Sequence, residues 1–244
     1  MEKKVLFTAS TLSHIQHFHL PYLNAFHNLG WNVHVACGGP NTSLPAVDKL
    51  LILPFQKQMT SLANFEASFQ LRRLIQHEDY NLIIVHTSLA AFFTRLATKG
   101  LSKRPPIVNV VHGYLFDHET PPLKRSILLA AERLTAPQTD LLLAMNQWDY
   151  DFARKKRLGT HIAFIPGIGV NFSSLGSYSE SERLVLRQEQ GFRESNFLFI
   201  YAAEFSKRKH QETLIRALAL LPEHIGLLLP GEGELRQTCM KLAK

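Results

Sequence analysis

Short apolar runs rich in Val, Ile and Leu recur along the first two thirds of the chain: Val5–Ala9, Val33–Cys37, Leu50–Leu53, Leu82–His86, Ile107–Val111, Leu141–Ala144 and Ile162–Ile165. Their hydrophobicity is continuous rather than alternating, the mark of strands covered on both faces. Helix-period segments stand between them, at Phe18–Leu29, Ala63–His77, Ala90–Lys99, Leu123–Leu134 and Gln147–Arg157. Gly30, Gly100 and Gly159 follow three of these, and Ser61 or Asn64 precedes the second, as end signals should. Repeated βα units of this length predict an α/β fold with a doubly wound parallel sheet. Such sheets bind ligands at the carboxyl ends of their strands. The loops beginning at Ser10, Gly38, His86, His112 and Asn146 are therefore the predicted functional edge.

The turn-rich stretch Pro166–Tyr178 separates this array from a second, which divides the chain into residues 1–170 and 171–244. The second array reads as helix Glu180–Gln190, strand Phe197–Ala202, helix Gln211–Leu221, strand Ile225–Leu229 and helix Glu234–Lys244. Two strands do not make a stable parallel sheet covered on both faces, so this domain is expected to be incomplete. Its first strand leads into Glu204-Phe-Ser-Lys-Arg-Lys-His210, and its second into Gly231-Glu-Gly-Glu234. Cations beside helix amides suit a diphosphate, though Lys207, Arg208 and Lys209 also read as a solvated basic turn. Gly231 and Gly233 either bring backbone close to a ligand, with Glu234 beside ribose or base, or make an ordinary tight turn. Gly167 and Gly169 are open in the same way, as an interdomain loop or a bare turn.

With 27 Lys and Arg against 20 Asp and Glu, the chain carries a net charge of +7 and suits an anionic partner. Residues 1–170 hold most of the excess, 17 against 11. Arg72, Arg73, Lys99, Lys103, Arg104 and Arg154–Arg157 read either as a face for acidic lipid or as solvated helix surface. No nucleic-acid reader motif accompanies the charge, so nucleic acid is not an expected partner. Cys37 and Cys239 are too few and too far apart for a disulfide framework or a metal site, and a reducing cytoplasm is the expected compartment. No run approaches the roughly 20 apolar residues of a membrane span, so membrane contact should be peripheral. The first strand lacks a following Gly-x-Gly-x-x-Gly, which argues against a dinucleotide oxidoreductase. His14, His17 and His19 lie close in sequence without a supporting carboxylate set, and no metal is expected there.

Taken in order, Val5-Leu-Phe-Thr-Ala with His17-Phe-His-Leu-Pro-Tyr-Leu23, Val85-His-Thr-Ser88, Val111-His-Gly113, Asp140–Tyr150, Pro166-Gly-Ile-Gly-Val170, Glu204–Gln211 and Gly231–Glu234 resemble glycosyltransferase family 4. The resemblance is closest to the branch that builds bacterial capsule and exopolysaccharide repeat units. It implies a retaining enzyme of GT-B fold: a complete N-terminal Rossmann-like domain on the acceptor side, and here the first part of a second Rossmann-like domain on the donor side. It further implies a nucleotide-sugar donor, a lipid-linked saccharide acceptor, an anionic membrane surface at the inner face of the plasma membrane, and neither metal nor other cofactor.

Residue by residue, Lys209 matches the family lysine that holds the donor diphosphate. Glu204 stands where many relatives have arginine, which leaves Arg208 to supply a guanidinium. His112 matches a histidine near the donor sugar and the reacting centre. His86 ends the preceding strand in an analogous place. The family's glycine-rich first loop has no counterpart in Thr8–His14, where Ser10, Ser13 and His17 are the candidate acceptor-side contacts. A downstream acidic motif that recognises the donor ribose is expected beyond Lys244, so the alternative reading is a truncated fragment that binds acceptor or partner without transferring sugar.

Overall fold

The structure, a computed structural model, describes residues 2–169 and 176–244. It divides into two compact units, Met1–Val170 and Asn171–Lys244. Within the predicted joint Pro166–Tyr178, residues 170–175, Asn171 among them, lie outside the described residues.

Unit 1 is built on a parallel sheet of strands β1 (Lys4–Ala9), β2 (Asn32–Cys37), β3 (Lys49–Ile52), β4 (Leu82–His86), β5 (Ile107–Val111), β6 (Leu141–Ala144) and β7 (His161–Phe164). Their spatial order is β3-β2-β1-β4-β5-β6-β7. The order reverses between β1 and β4, which is the switch point of a doubly wound sheet. The continuous apolar runs are explained by what lies on either side. Val5, Phe7 and Ala9 of β1 pack with Leu12, Ile15 and Leu23 from helices α1 (Leu12–Phe18) and α2 (Leu20–Asn28). Leu6 between them packs the other way, with Ala67, Leu71 and Ile75 of α3 (Leu62–His77) and Ala91 and Ala97 of α4 (Ser88–Thr98). Each fully buried side chain of this size contributes about 1.5–3 kcal/mol. Helices α5 (Pro122–Thr135) and α6 (Gln147–Lys156) complete the unit, and Leu142, Ala144, Phe152 and Leu158 form a third cluster near its far edge.

The segment after β1 departs from expectation. Residues 12–18 read from sequence as part of a loop, with one helix beginning at Phe18; the chain instead forms two short helices hinged at His19. The Thr11 side chain accepts from the His14 amide and caps α1, while Leu12 and Ile15 are its buried residues. Pro21, in the first turn of α2, is tolerated there but would interrupt a continuous helix.

Unit 2 contains α7 (Glu180–Glu189), β8 (Phe197–Ile200), α8 (Gln211–Leu218), β9 (Ile225–Leu228) and α9 (Arg236–Leu242). Ser179 and Glu182 close a reciprocal capping box on α7. β8 pairs in parallel with β9, Phe197 opposite Ile225 and Ile200 opposite Leu228. Phe197 and Ile200 remain 56% and 68% exposed, so this sheet is not covered as the first one is.

Candidate functional site

The carboxyl ends of β1 and β4 stand side by side in unit 1, and the loops leaving them are tied together. Ser10 Oγ lies 2.6 Å from Thr87 Oγ1, which also accepts from the Ser10 amide at 3.0 Å. Thr87 holds φ 62°, a conformation that a β-branched residue adopts only under constraint. Its neighbour Ser88 donates to the Gly113 carbonyl at 3.3 Å, joining the edge to the end of β5. A groove of about 660 Å³ opens beside this point, lined by Ser10, Ser13, Gly38, Gly39, Phe55 and Lys57 among others. A cavity of similar size, about 690 Å³, lies at the opposite edge of the sheet around Asn81 and Arg104, away from these loops.

Four histidines converge on the same edge. His86 ends β4 and His112 follows β5, and His86 Nδ1 lies 3.2 Å from His112 Nε2. The His19 ring stacks on His86 with centroids 3.7 Å apart. His14, from α1, sits 4.8 Å from the His112 ring and 4.9 Å from that of His19. His19 and His86 are buried, and His14 and His112 half-buried. Both ring nitrogens of His19, Nε2 of His14 and Nε2 of His86 have no hydrogen-bond partner. A buried polar atom with no partner of any kind costs about 1–3 kcal/mol, so these nitrogens favour a ligand that supplies one.

Burial, assisted by the charge of His112, lowers the His14 pKa to about 4. Burial, then His14 and His112, lowers His19 to about 3. His86 is pushed well down by burial and by the other three rings, and His112 is lowered by burial. At neutral pH the four are therefore uncharged imidazoles, each with one lone pair and one N–H. Neutral rings in this position can donate to or accept from sugar hydroxyls without presenting a fixed charge.

The sequence candidates on unit 1 separate accordingly. Ser10, His86 and His112 share the edge. His17 does not join the cluster: it is exposed, and its Nδ1 bonds the Ser13 carbonyl at 2.6 Å one turn back along α1. Sequence spacing does not set His14 and His19 on one side with His112, because they are five residues apart, about 140° around a continuous helix. Only the break at His19 turns them together. Gly167 and Gly169 adopt φ 101° and 75°, and the Ile168 carbonyl between them accepts from Tyr22 of α2.

In unit 2 the candidate diphosphate residues lie on one loop. Lys207–Lys209 form a 3-10 turn that ends at His210 with φ 53°, so these cations precede α8 rather than occupying its first turn. Lys207 and Arg208 are exposed, Lys209 is half-buried, and among the described residues none of the three is in an ion pair. Glu204 is exposed, and its carbonyl accepts from buried Gln211 at 2.7 Å, which anchors the turn to α8. The loop after β9 runs beside it: the Ala203 amide donates to Pro230, the Phe205 amide to Glu232 and the Leu235 amide to Phe205. Gly231, Gly233 and Glu234 are exposed along that ladder.

The sequence profile described as Glycosyltransferase Family 4 matches residues 22–167. Among curated proteins, the chain is 34% identical over 249 residues to "Putative glycosyltransferase EpsD" of Bacillus subtilis (strain 168), covering 100% of this chain and 65% of that protein. It is 22% identical over 149 residues to an uncharacterized 41.2 kDa protein in the cps region of Klebsiella pneumoniae, covering 60% of this chain and 41% of that one. Among solved structures, it resembles Anabaena HepE in complex with UDP and glucose, with a TM-score of 0.69 at 18% identity over 98% of this chain and 64% of that one. WaaG, a glycosyltransferase involved in lipopolysaccharide biosynthesis, matches with a TM-score of 0.66 at 18% identity, over 98% of this chain and 66% of WaaG. The chain thus spans about two thirds or less of the relatives it matches.

Proposed function

The chain belongs to glycosyltransferase family 4, and from that membership we propose that its protein transfers a sugar from a nucleotide-sugar donor to a saccharide acceptor. Its α/β fold is the GT-B-like architecture of the solved relatives. The observation that carries the reading furthest is the cluster of neutral histidines at the sheet switch point of a family member. The UDP in the HepE structure supports a UDP-sugar donor, and the resemblance of the sequence motifs to the exopolysaccharide branch supports an exopolysaccharide product. A lipid-linked acceptor and a peripheral position on the inner face of the plasma membrane complete the proposal. Among the described residues no helix is long and apolar enough to cross a membrane.

In this reading unit 1 binds the acceptor and unit 2 the donor diphosphate. Ser10 and its groove contact the acceptor. His112, oriented by His86, hydrogen-bonds the donor sugar near the reacting carbon. Lys209 and Arg208 hold the diphosphate and stabilise the charge that develops as it leaves, on the face from which the acceptor hydroxyl attacks, so that configuration at the anomeric carbon is retained. Gly231, Gly233 and Glu234 lie toward the nucleotide, and the reaction takes no metal.

The test is transfer of radiolabelled sugar from a panel of UDP-sugars to a lipid-linked acceptor, with the anomeric configuration of the product read by NMR. Lys209→Ala is expected to weaken UDP binding about ten- to a hundredfold, as loss of one charge-assisted contact of about 1.5–3 kcal/mol implies. His112→Ala is expected to depress turnover more than UDP binding. Unchanged kinetics in both variants would remove these roles. The alternative, a chain that binds acceptor without transferring sugar, draws on the two-stranded sheet of unit 2 with its exposed β8. Transfer by the 244-residue chain itself would dismiss that alternative.

A further inference from the structure

Helix α5 carries an apolar stripe on the side it turns to solvent. Leu123, Ile127, Ala130 and Leu134 are all exposed, the three leucines and isoleucine by 75%, 62% and 47% in chain order. Their spacing of four, three and four residues puts them within about 60° of one another around the helix. The opposite side packs inward in the ordinary way, through Leu128, Leu129 and buried Thr135. Single exposed apolar side chains are normal on a protein surface, whereas a line of them along one helix marks a binding face. We propose that this stripe, with the cations beside it, docks unit 1 on a lipid bilayer of anionic headgroups. The proposal deepens the peripheral position proposed above and rests on that reading.

The charge around the stripe selects lipid. Lys124 and Arg133, both exposed, stand about 90° to either side of its centre. The only acid of the helix, Glu132, is buried and paired with Arg95. In the loop before α5 the acids are Asp117 and Glu119, and Asp117 is engaged by the amides of Glu119 and Thr120. An apolar stripe between two flanks of cations is the form of a helix lying in a membrane interface, its apolar side chains at the acyl boundary and its cations at the phosphates. Pairing of the stripe with a second copy about a two-fold axis would instead set Lys124 against Arg133, like charge against like.

The stripe also begins where the proposed acceptor groove ends. Leu115, 52% exposed on the loop leading from β5 to α5, lines a cavity of about 240 Å³ together with Met59, Ser10, Lys57 and Thr87. The same Leu115 and Met59 line an apolar slot against Phe92 of α4 and Leu128 of α5. The path from Ser10 to α5 therefore passes from hydroxyls to hydrocarbon, the order in which a saccharide and its lipid would lie. On the other flank of α4, helix α3 exposes Leu62, Phe65 and Phe69, with the Phe65 ring 5.2 Å from that of Phe93. Among the cations read from sequence as a face for acidic lipid, exposed Arg73 lies over Phe69 at 6.0 Å and fits this surface. Arg72 is spent on the carbonyls of Ala97 and Lys99, and Arg104 on Asp140.

The experiment is flotation of the purified 244-residue chain with vesicles of phosphatidylcholine, alone or with about a third phosphatidylglycerol. The chain is expected to float with the anionic vesicles only, and its affinity to fall about tenfold or more between about 0.1 and 0.5 M salt. Leu123→Ser with Ile127→Ser should weaken binding about tenfold or more, and Lys124→Glu with Arg133→Glu should weaken it and flatten the salt dependence. Val185→Ser with Leu186→Ser, exposed apolar positions on α7, should change nothing. Cys37 and Cys239 are buried, so a polarity-sensitive dye on Ile127→Cys reports alone. Vesicles must shift its emission to the blue and brominated acyl chains must quench it, whereas the same dye on Val185→Cys must stay in water. Vesicle binding that ignores the stripe, or a dye at position 127 left in water, would overturn the docking face and leave the peripheral position standing. No binding to anionic vesicles would remove both. A dimer that dissociates in the Leu123→Ser, Ile127→Ser variant would assign the stripe to a second copy and equally overturn the proposal. Sugar transfer is not part of the readout, so the docking face stands or falls separately from the proposed activity.

Discussion

A Cβ built on Gly231 would lie 2.1 Å from the Ala203 carbonyl oxygen, and one on Gly233 2.4 Å from that of Phe205. Both glycines also hold positive φ, 153° and 147°. The requirement for glycine here comes from the neighbouring loop: the two strand-end loops of unit 2 run together closely enough that any side chain would strike backbone, which cannot yield as a flexible side chain can. Gly233→Ala should accordingly destabilise unit 2 by about 2 kcal/mol or more, with the basic turn displaced before any ligand is considered. Urea unfolding followed by hydrogen exchange of β8 and β9 measures this; an unchanged midpoint would mean that the loops separate without cost. From sequence, Gly-x-Gly was legible as a close approach of backbone, but whether to a ligand or to a second loop depends on a contact across 28 residues that no local pattern reveals. The histidines teach the same lesson. His86 and His112 were legible because they end strands, whereas His14 and His19 acquire a common direction only through a helix break.

At the scale of elements, the sheet could be read and the helix faces could not. The apolar runs marked every strand of unit 1 to within a few residues, most cleanly in the central strands, where burial on both faces leaves no alternation to confuse. Arg95 shows what was hidden: in the middle of α4 it is wholly buried, donating to Glu132 of α5 at 2.8 Å, to Thr139 at 3.3 Å and to the Ala91 carbonyl at 3.0 Å. A charged residue on a helix reads as a solvated face until its partner on another helix is known. Glu132→Ala strands that guanidinium and should cost about 3–5 kcal/mol in urea unfolding, while the paired exchange Arg95→Met with Glu132→Leu should cost much less. Equal losses would mean that packing volume rather than charge governs the site.

Glu78, just beyond α3, accepts from Lys4 at 2.8 Å and Lys49 at 2.7 Å, and these two hydrogen bonds, Lys4 foremost, hold its pKa down to about 2. The folded pKa lies below the unfolded value near 4.5, so the stabilisation is complete above pH 4.5 and is lost as pH falls towards 2. Glu78→Gln should therefore be less stable than the parent by a margin that is widest above pH 5 and closes in acid. A margin independent of pH would show that the carboxylate charge is immaterial.

Over the whole molecule, the two units differ in how fully their sheets are covered. The central strands of unit 1 bury both faces, with Val5, Leu6, Val33, Val35 and Ile83 fully inaccessible, whereas β8 in unit 2 leaves Phe197, Phe199 and Ile200 at least half exposed. Few buried apolar contacts and solvent-facing strands are the physical content of low local stability. Backbone amides of β1, β4 and β5 are expected to exchange last, at rates set by global unfolding of unit 1. Those of β8 and β9 should exchange by a separate, easier opening. Mass-resolved hydrogen exchange on the 244-residue chain distinguishes the two, and trypsin gives an orthogonal reading: the Lys and Arg of residues 176–244 should be cut first, leaving a resistant product that carries unit 1. If β8 and β9 were protected as long as β1 and β4, the apolar face of β8 would have to be covered in solution. Adding UDP then separates the causes. Protection of the Lys207–Lys209 turn and the Gly231–Glu234 loop that rises with nucleotide marks ligand-linked order, and protection indifferent to it marks burial by protein.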